Sequence, residues 1–150
     1  MGYDLTFAEP REDEPHNFRI GYFTMPSLID AMTELGMAVE LPHPAWPNPD
    51  DMGVSVEEAR ALVASGAELP SGVQRQVDGE RAARTGEADD PQGIPAYKLR
   101  TNDAWQVTPN EITAALAALG RAPEQPQDGL WPHWVDYLRR ARERGGFLVH

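Results

Sequence analysis

Residues 101–109, TNDAWQVTP, put a chain reversal, an indole and a helix start into one short stretch. Asn102 and Asp103 are residue types that tolerate left-handed backbone and bond their own main chain, so a tight turn accounts for both. The same carboxamide and carboxylate, beside Trp105 and just after Tyr97 and Arg100, could also hold a polar ligand. Aromatic walls with a few convergent polar groups are what small-molecule pockets are made of. The turn is the first reading of Asn102-Asp103 and the ligand the second.

Other groups with chemical potential are scattered. His16 and His43 sit in proline-flanked loops, His150 is the last residue, and His133 falls on the exposed side of a final helix. No pair of histidines has the spacing of a zinc site, and without cysteine there is no thiolate ligand, no nucleophilic thiol and no disulfide. Asn48–Ala59 imitates a calcium loop at its third and sixth positions, Asp50 and Gly53. It puts Met52 and Ala59 where the fifth and twelfth positions need oxygen ligands. No nucleophile elbow, phosphate loop or dinucleotide fingerprint is present, so the sequence assigns no catalytic residue, metal or cofactor. Arg142 projects near the middle of the apolar face of the last helix. There it must pair with a carboxylate, stack on an aromatic or form the floor of an anion pocket. Trp46 stands among Pro42, Pro44, Pro47 and Pro49, which stiffen a loop at 41–50 and lay the indole on the core or over a groove.

Charge narrows the partners. The net charge is -11, which argues against binding nucleic acid, because a phosphate-backbone reader carries a basic footprint. The acids crowd the N-terminal part in two groups, Glu12, Asp13 and Glu14, then Asp50 and Asp51. These form a candidate surface for a basic partner protein, with solubility as the plainer explanation. The chain shows no secretory leader and no apolar run long enough to span a membrane, and lacks cysteine, so a cytoplasmic setting is expected. Met1-Gly2 with Thr6 formally meets the myristoylation pattern, but a strand through the same residues accounts for them.

The elements that must position these groups follow from periodicity. Tyr3, Leu5 and Phe7 alternate with polar residues, as do Phe18, Ile20 and Tyr22, giving two strands. Helices are expected from Pro26 to Gly36, from a Ser55–Glu58 capping box with Val56, Ala59 and Val63 inward, and from Ser71 to about Arg84. Residues 96–100 and 104–107 read as a hairpin around Thr101–Asp103. Thr108, Pro109 and Glu111 start the best helix signal in the chain, ended by Gly120. Trp131, Trp134, Val135 and Leu138 share one face of the last helix, and FLVH ends as a strand. The expected fold is α+β: a two-layer sandwich, a small mostly antiparallel sheet against helices, in a single domain over 1–150. A polar segment around 85–95, poor in large apolar residues, is expected to be mobile.

TNDAWQVTP together with GGFLV near the C-terminus resembles small actinobacterial and phage-borne proteins that share an N-D-[GA]-W-x-V-T-P stretch and a terminal G-G-F-x-V strand. The resemblance covers about residues 97–150 and implies no activity. Taken together, the residues point to an acidic protein-protein interaction or regulatory protein, phage- or mobile-element-borne by that resemblance. The competing expectations are a small enzyme or ligand-binding protein with a pocket between helices and sheet, and an immunity- or inhibitor-type protein for a basic partner.

Overall fold

The strand nearest the C-terminus occupies the middle of the sheet. In the computed structural model, which describes residues 2–15, 17–127 and 129–150, strands β1 (Gly2–Phe7), β2 (Asn17–Gly21), β5 (Trp105–Val107) and β6 (Phe147–Val149) form one antiparallel sheet in the order β2-β1-β6-β5. The loop reading at His16 lies outside the described residues, as do Met1 and Asp128. The alternation of β1 is expressed as read: Tyr3, Leu5 and Phe7 are buried and the residues between them are not. Leu5 faces Phe18 on one side and Val149 on the other, so β1 is paired along both edges. Gly146 brings the chain into β6 with φ +88°, and a Cβ there would stand 2.0 Å from the Val107 carbonyl oxygen, so only glycine fits.

Helix α6 (Trp131–Arg142) covers this sheet. Trp131, Trp134, Val135 and Leu138 are buried as the spacing predicts, and Tyr137 and Ala141 join them. The Tyr137 ring packs against Phe7, Phe18 and Phe147 at centroid separations of 4.9, 5.0 and 5.6 Å. Burial of each large apolar side chain contributes about 1.5–3 kcal/mol, so this aromatic cluster ties helix to sheet. Helix α5 (Pro109–Arg121) packs beside α6, and α1 (Met25–Glu34) adds Met25, Leu28, Ile29 and Met32 to the same core. The fold is thus α+β, helices on an antiparallel sheet, as expected.

Length alone points to one core; the side chains make two. Residues 2–43 and 87–150 form one compact unit, with the sheet and α1, α5 and α6. Residues 44–86 form another, built from a 3-10 turn at Pro49–Met52, α2 (Val56–Ser65) and α3 (Ser71–Thr85) around Met52, Ala59 and Val73. Gly72 is fixed by close approach: a Cβ there would meet the Met52 carbonyl oxygen at 2.3 Å.

Several expectations are corrected. The hairpin at 96–107 does not form. Tyr97–Arg100 is a single helical turn, α4, and β5 pairs with β6 instead. Consecutive burial of Lys98 and Leu99 fits a helical turn enclosed on two sides and not a strand with one wet face. The segment 85–95 ends in order: Ile94–Pro95, strand β4, pairs in parallel with Ala38–Val39, β3, and Ile94 is fully buried. Val56 and Val63 do not point inward but are 45% and 49% exposed, because α2 meets its neighbours through Ala59 and Leu62. Helix α3 starts without a side-chain cap from Ser71, and α5 runs through Gly120 to Arg121.

The reversal before β5 does occur, but its left-handed residue is neither Asn102 nor Asp103. Ala104 takes φ +62°. An L-residue with a Cβ pays about 1–2 kcal/mol for that conformation. Replacement Ala104→Gly should therefore stabilise the protein by about 0.5–1 kcal/mol after the extra entropy of glycine in the unfolded chain is subtracted. Chemical denaturation measures this, and Ala104→Val should lower the midpoint; a glycine variant less stable than the parent would contradict the assignment.

Candidate functional site

Thr108 caps α5 as its sequence predicts. Its Oγ1 accepts from the Glu111 N–H at 3.2 Å, and Glu111 Oε1 accepts from the Thr108 N–H at 2.9 Å. Glu111 does more than cap. Its carboxylate accepts two bonds from the Lys98 ammonium, 2.9 Å to Oε1 and 3.1 Å to Oε2, and Lys98 Nζ also donates to the Gln106 carbonyl oxygen at 2.8 Å. Both side chains are essentially sealed, Lys98 at 0% and Glu111 at 1% exposed. Burial pushes the Lys98 ammonium below its ordinary range and the Glu111 carboxyl above its own, while each partner opposes the shift of the other. Nearby, burial would raise Glu87, but hydrogen bonds from Thr108 and Asn110 and the Lys98 charge hold it below the usual carboxylate value.

With three N–H bonds accounted for, Lys98 has no lone pair to offer as a nucleophile. The pair joins α4 to β5 and α5 and is positioned for structure, not for covalent catalysis. Around it lies a ring cluster: Trp105, fully buried, meets Tyr97 edge-on at 5.2 Å and His43 at 5.0 Å. The Trp105 indole N–H donates to Thr101 Oγ1 at 2.8 Å. Trp105 is therefore part of the core, and Tyr97 is half-buried beside it, its hydroxyl pushed up by burial and then by Glu111.

The other sequence candidates disperse. Asn102 and Asp103 are exposed in the turn. Arg100 is exposed, and its guanidinium grips the Glu40 carboxylate through both terminal nitrogens, one bond being 2.8 Å. His133 is exposed, as expected. Arg142 is exposed too, which corrects the expectation of an arginine on the apolar face. Ala141 takes that position, the helix ends at Arg142, and the buried arginine is Arg144 in the turn beyond. Arg144 Nε donates to Glu14 Oε2 at 2.7 Å. Glu14 is thus a structural partner and not open acidic surface; Glu12, Asp13, Asp50 and Asp51 remain exposed. Trp46 lies in the second unit with the Arg84 guanidinium 5.2 Å from its ring centroid, a cation–π arrangement.

Sequence reasoning missed Lys98, Glu87, Arg144 and the second task of Glu111. One signal was available: Lys98 is the single lysine beside twelve arginines. A compact ammonium is the cation that can be enclosed by three converging oxygens, where a planar guanidinium fork would not fit.

Two of the cavities among the described residues have apolar walls with charged groups beside them. Within residues 44–86, an apolar groove of about 570 Å³ runs between α2 and α3, lined by Met52, Val56, Ala59, Val63, Val73 and Val77, with Arg60, Glu80 and Arg84 among its polar lining residues. In the other unit, Tyr3 and Tyr22 stand over a cavity of about 330 Å³ beside α1. Among the described residues no group of three or more histidines and carboxylates is arranged to hold a metal ion, and no helix is long and apolar enough to cross a membrane. No family model, curated protein or solved structure matches the chain.

Two outcomes follow from the buried and half-buried ion pairs. Lys98→Met alone strands a carboxylate and should destabilise by about 3–5 kcal/mol, whereas Lys98→Met with Glu111→Gln should recover most of the loss. Additive losses in a double-mutant cycle would disprove the coupling. For Glu14, the hydrogen bond from Arg144 holds the carboxyl below its ordinary 4.5. A lowered folded value means stabilisation that is complete above the unfolded value and lost as pH falls through the folded one. Glu14→Gln should thus weaken the protein at pH 7, with the gap to the parent closing below about pH 4. Urea midpoints at several pH values provide the check; a gap that widens in acid would refute it.

Proposed function

We propose that this chain is a protein-interaction module whose groove between α2 and α3 receives an amphipathic helix of a basic partner. The observation that carries the reading is the apolar stripe on α2. Val56 and Val63 lie on one helical face with Ala59, yet only Ala59 is buried. A surface helix ordinarily buries such a stripe. Here it forms a wall of an open groove, the kind of exposed apolar patch that marks interaction sites. Its volume has room for a few side chains and not for a whole helix. The fitting occupant lies across it and inserts residues spaced three and four apart.

Charge supports the choice of partner. Asp50, Asp51, Glu57 and Glu58 are all exposed and cluster at the 3-10 turn and the first turn of α2, whose Met52 and Val56 line the groove. Basic residues flanking an apolar helix face would meet them, which also serves association rate. An acidic flank facing a basic partner is also what the inhibitor-type expectation called for.

The test is a calorimetric titration with a synthetic helical peptide bearing leucines on one face and lysines on the other. Saturable binding is expected, and Val63→Glu should weaken it roughly tenfold. That substitution adds an acid, so attraction by charge alone would strengthen binding instead. Equal or tighter binding by the variant, or equal binding of a peptide with the same composition scrambled, would reject the groove as the site.

A further inference from the structure

The turn after β2 exposes two aromatic rings, Tyr22 at 54% and Phe23 at 91%. Adjacent exposed rings make an apolar patch, the kind of surface that marks interaction sites. Tyr22 is held in place all the same. Its ring lies parallel to that of Tyr3, 2° between planes with centroids 6.2 Å apart, and Phe23 meets it edge-on at 5.6 Å. Tyr3 is in turn fixed by its hydroxyl, which donates to the Arg100 carbonyl oxygen at 2.9 Å. The two tyrosines, buried Met25 and Ile29, and the side chains of Asp30 and Arg100 line the cavity of about 330 Å³ beside α1.

Its polar groups favour one sign of charge. The Arg100 guanidinium is satisfied by the Glu40 carboxylate in a two-pronged bond, so its charge is compensated. Asp30 makes no ion pair within 4 Å among the described residues and acts on Arg100 only at longer range, so that Asp30 and Glu40 together outnumber the one cation of the lining. The start of α1 offers little to an anion. Pro26 has no N–H, and the Leu28 N–H is bonded to the Thr24 carbonyl oxygen at 3.1 Å. Tyrosine faces carry negative quadrupole potential and attract cations, most strongly poorly hydrated ones. The apolar walls of Met25 and Ile29 suit methyl groups. They offer no acceptor to the three N–H groups of a bare ammonium.

We propose that this cavity binds a methylated ammonium, with the Tyr22 and Tyr3 rings as its aromatic wall and the Asp30 carboxylate as its counter-charge. The site is independent of the α2–α3 groove and shares no residue with it. The same chemistry is carried by a free small cation such as choline and by a trimethylated lysine side chain, so both are probes.

The experiment follows backbone amide shifts of the full chain during titration with choline, with trimethyl-lysine methyl ester and with the neutral isostere of choline in which carbon replaces nitrogen. Saturable shifts centred on Tyr22 and Asp30 are expected for at least one cation and not for the isostere. The tighter of the two probes identifies the source. Tyr22→Ala and Asp30→Asn change exposed side chains, and each should weaken binding roughly tenfold with an unchanged circular dichroism spectrum. The proposal fails if neither cation gives saturable shifts, if the isostere binds as well as choline, or if both variants retain parental affinity.

Discussion

The contact between Lys98 and Glu111 ties three elements of this molecule together through one buried polar network. Two opposite charges with no access to water are tolerable only when their hydrogen bonds are complete, because desolvation of either alone is severe. Completing them requires three elements at once. Tyr97–Arg100 must turn as a helix to aim the ammonium inward, β5 must present the Gln106 carbonyl oxygen, and α5 must begin at Thr108 so that Glu111 lies at its third position. The Glu111 carboxylate is shared between a cap and a cation, so the start of α5 and the position of α4 are one event. Lys98 and Glu111 are themselves sealed at 0% and 1% exposure, which is what makes the pair so costly to break.

What was legible in the sequence is what depends on local periodicity. β1 and β2, the faces of α1, α5 and α6, and the Thr108 box all follow from spacing that a helix or strand repeats within a few residues. The failures share a cause. Whether Lys98 faces water depends on a carboxylate thirteen positions away, and whether Arg142 or Arg144 is enclosed depends on where α6 stops. Such facts are decided by tertiary pairing, which the spacing within one helix or strand does not encode. The hairpin reading at 96–107 failed for the same reason: a turn signal reports that the chain reverses, not which strand it will meet.

The candidate sites illustrate the same boundary. Of the binding residues that residue type suggested, Trp105 and Tyr97 went to the core cluster, Arg100 to a surface pair with Glu40, and Trp46 to a stack beneath Arg84. The surfaces left open are made from residues that looked like core, Val56 and Val63 on α2 and Tyr22 after β2. Hydrophobic side chains at regular spacing announce a buried face without saying what will bury it. Where the chain itself does not, the pattern leaves an open apolar surface.

The sheet order also has a temporal side. During synthesis β1 and β2 emerge early and pair with each other. The inner edge of β1 and the edge of β5 that faces it then wait, because the strand that lies between them, β6, comes after both in the chain. Until Phe147–Val149 leaves the ribosome, two rows of backbone donors and acceptors stay unmatched, and Leu5 and Trp105 lack the Val149 they face across the ladder. An unmatched strand edge is a template for the wrong neighbour. The nascent chain is therefore most vulnerable just before β6 emerges, and that strand acts as the keystone that ends the exposure in a single step.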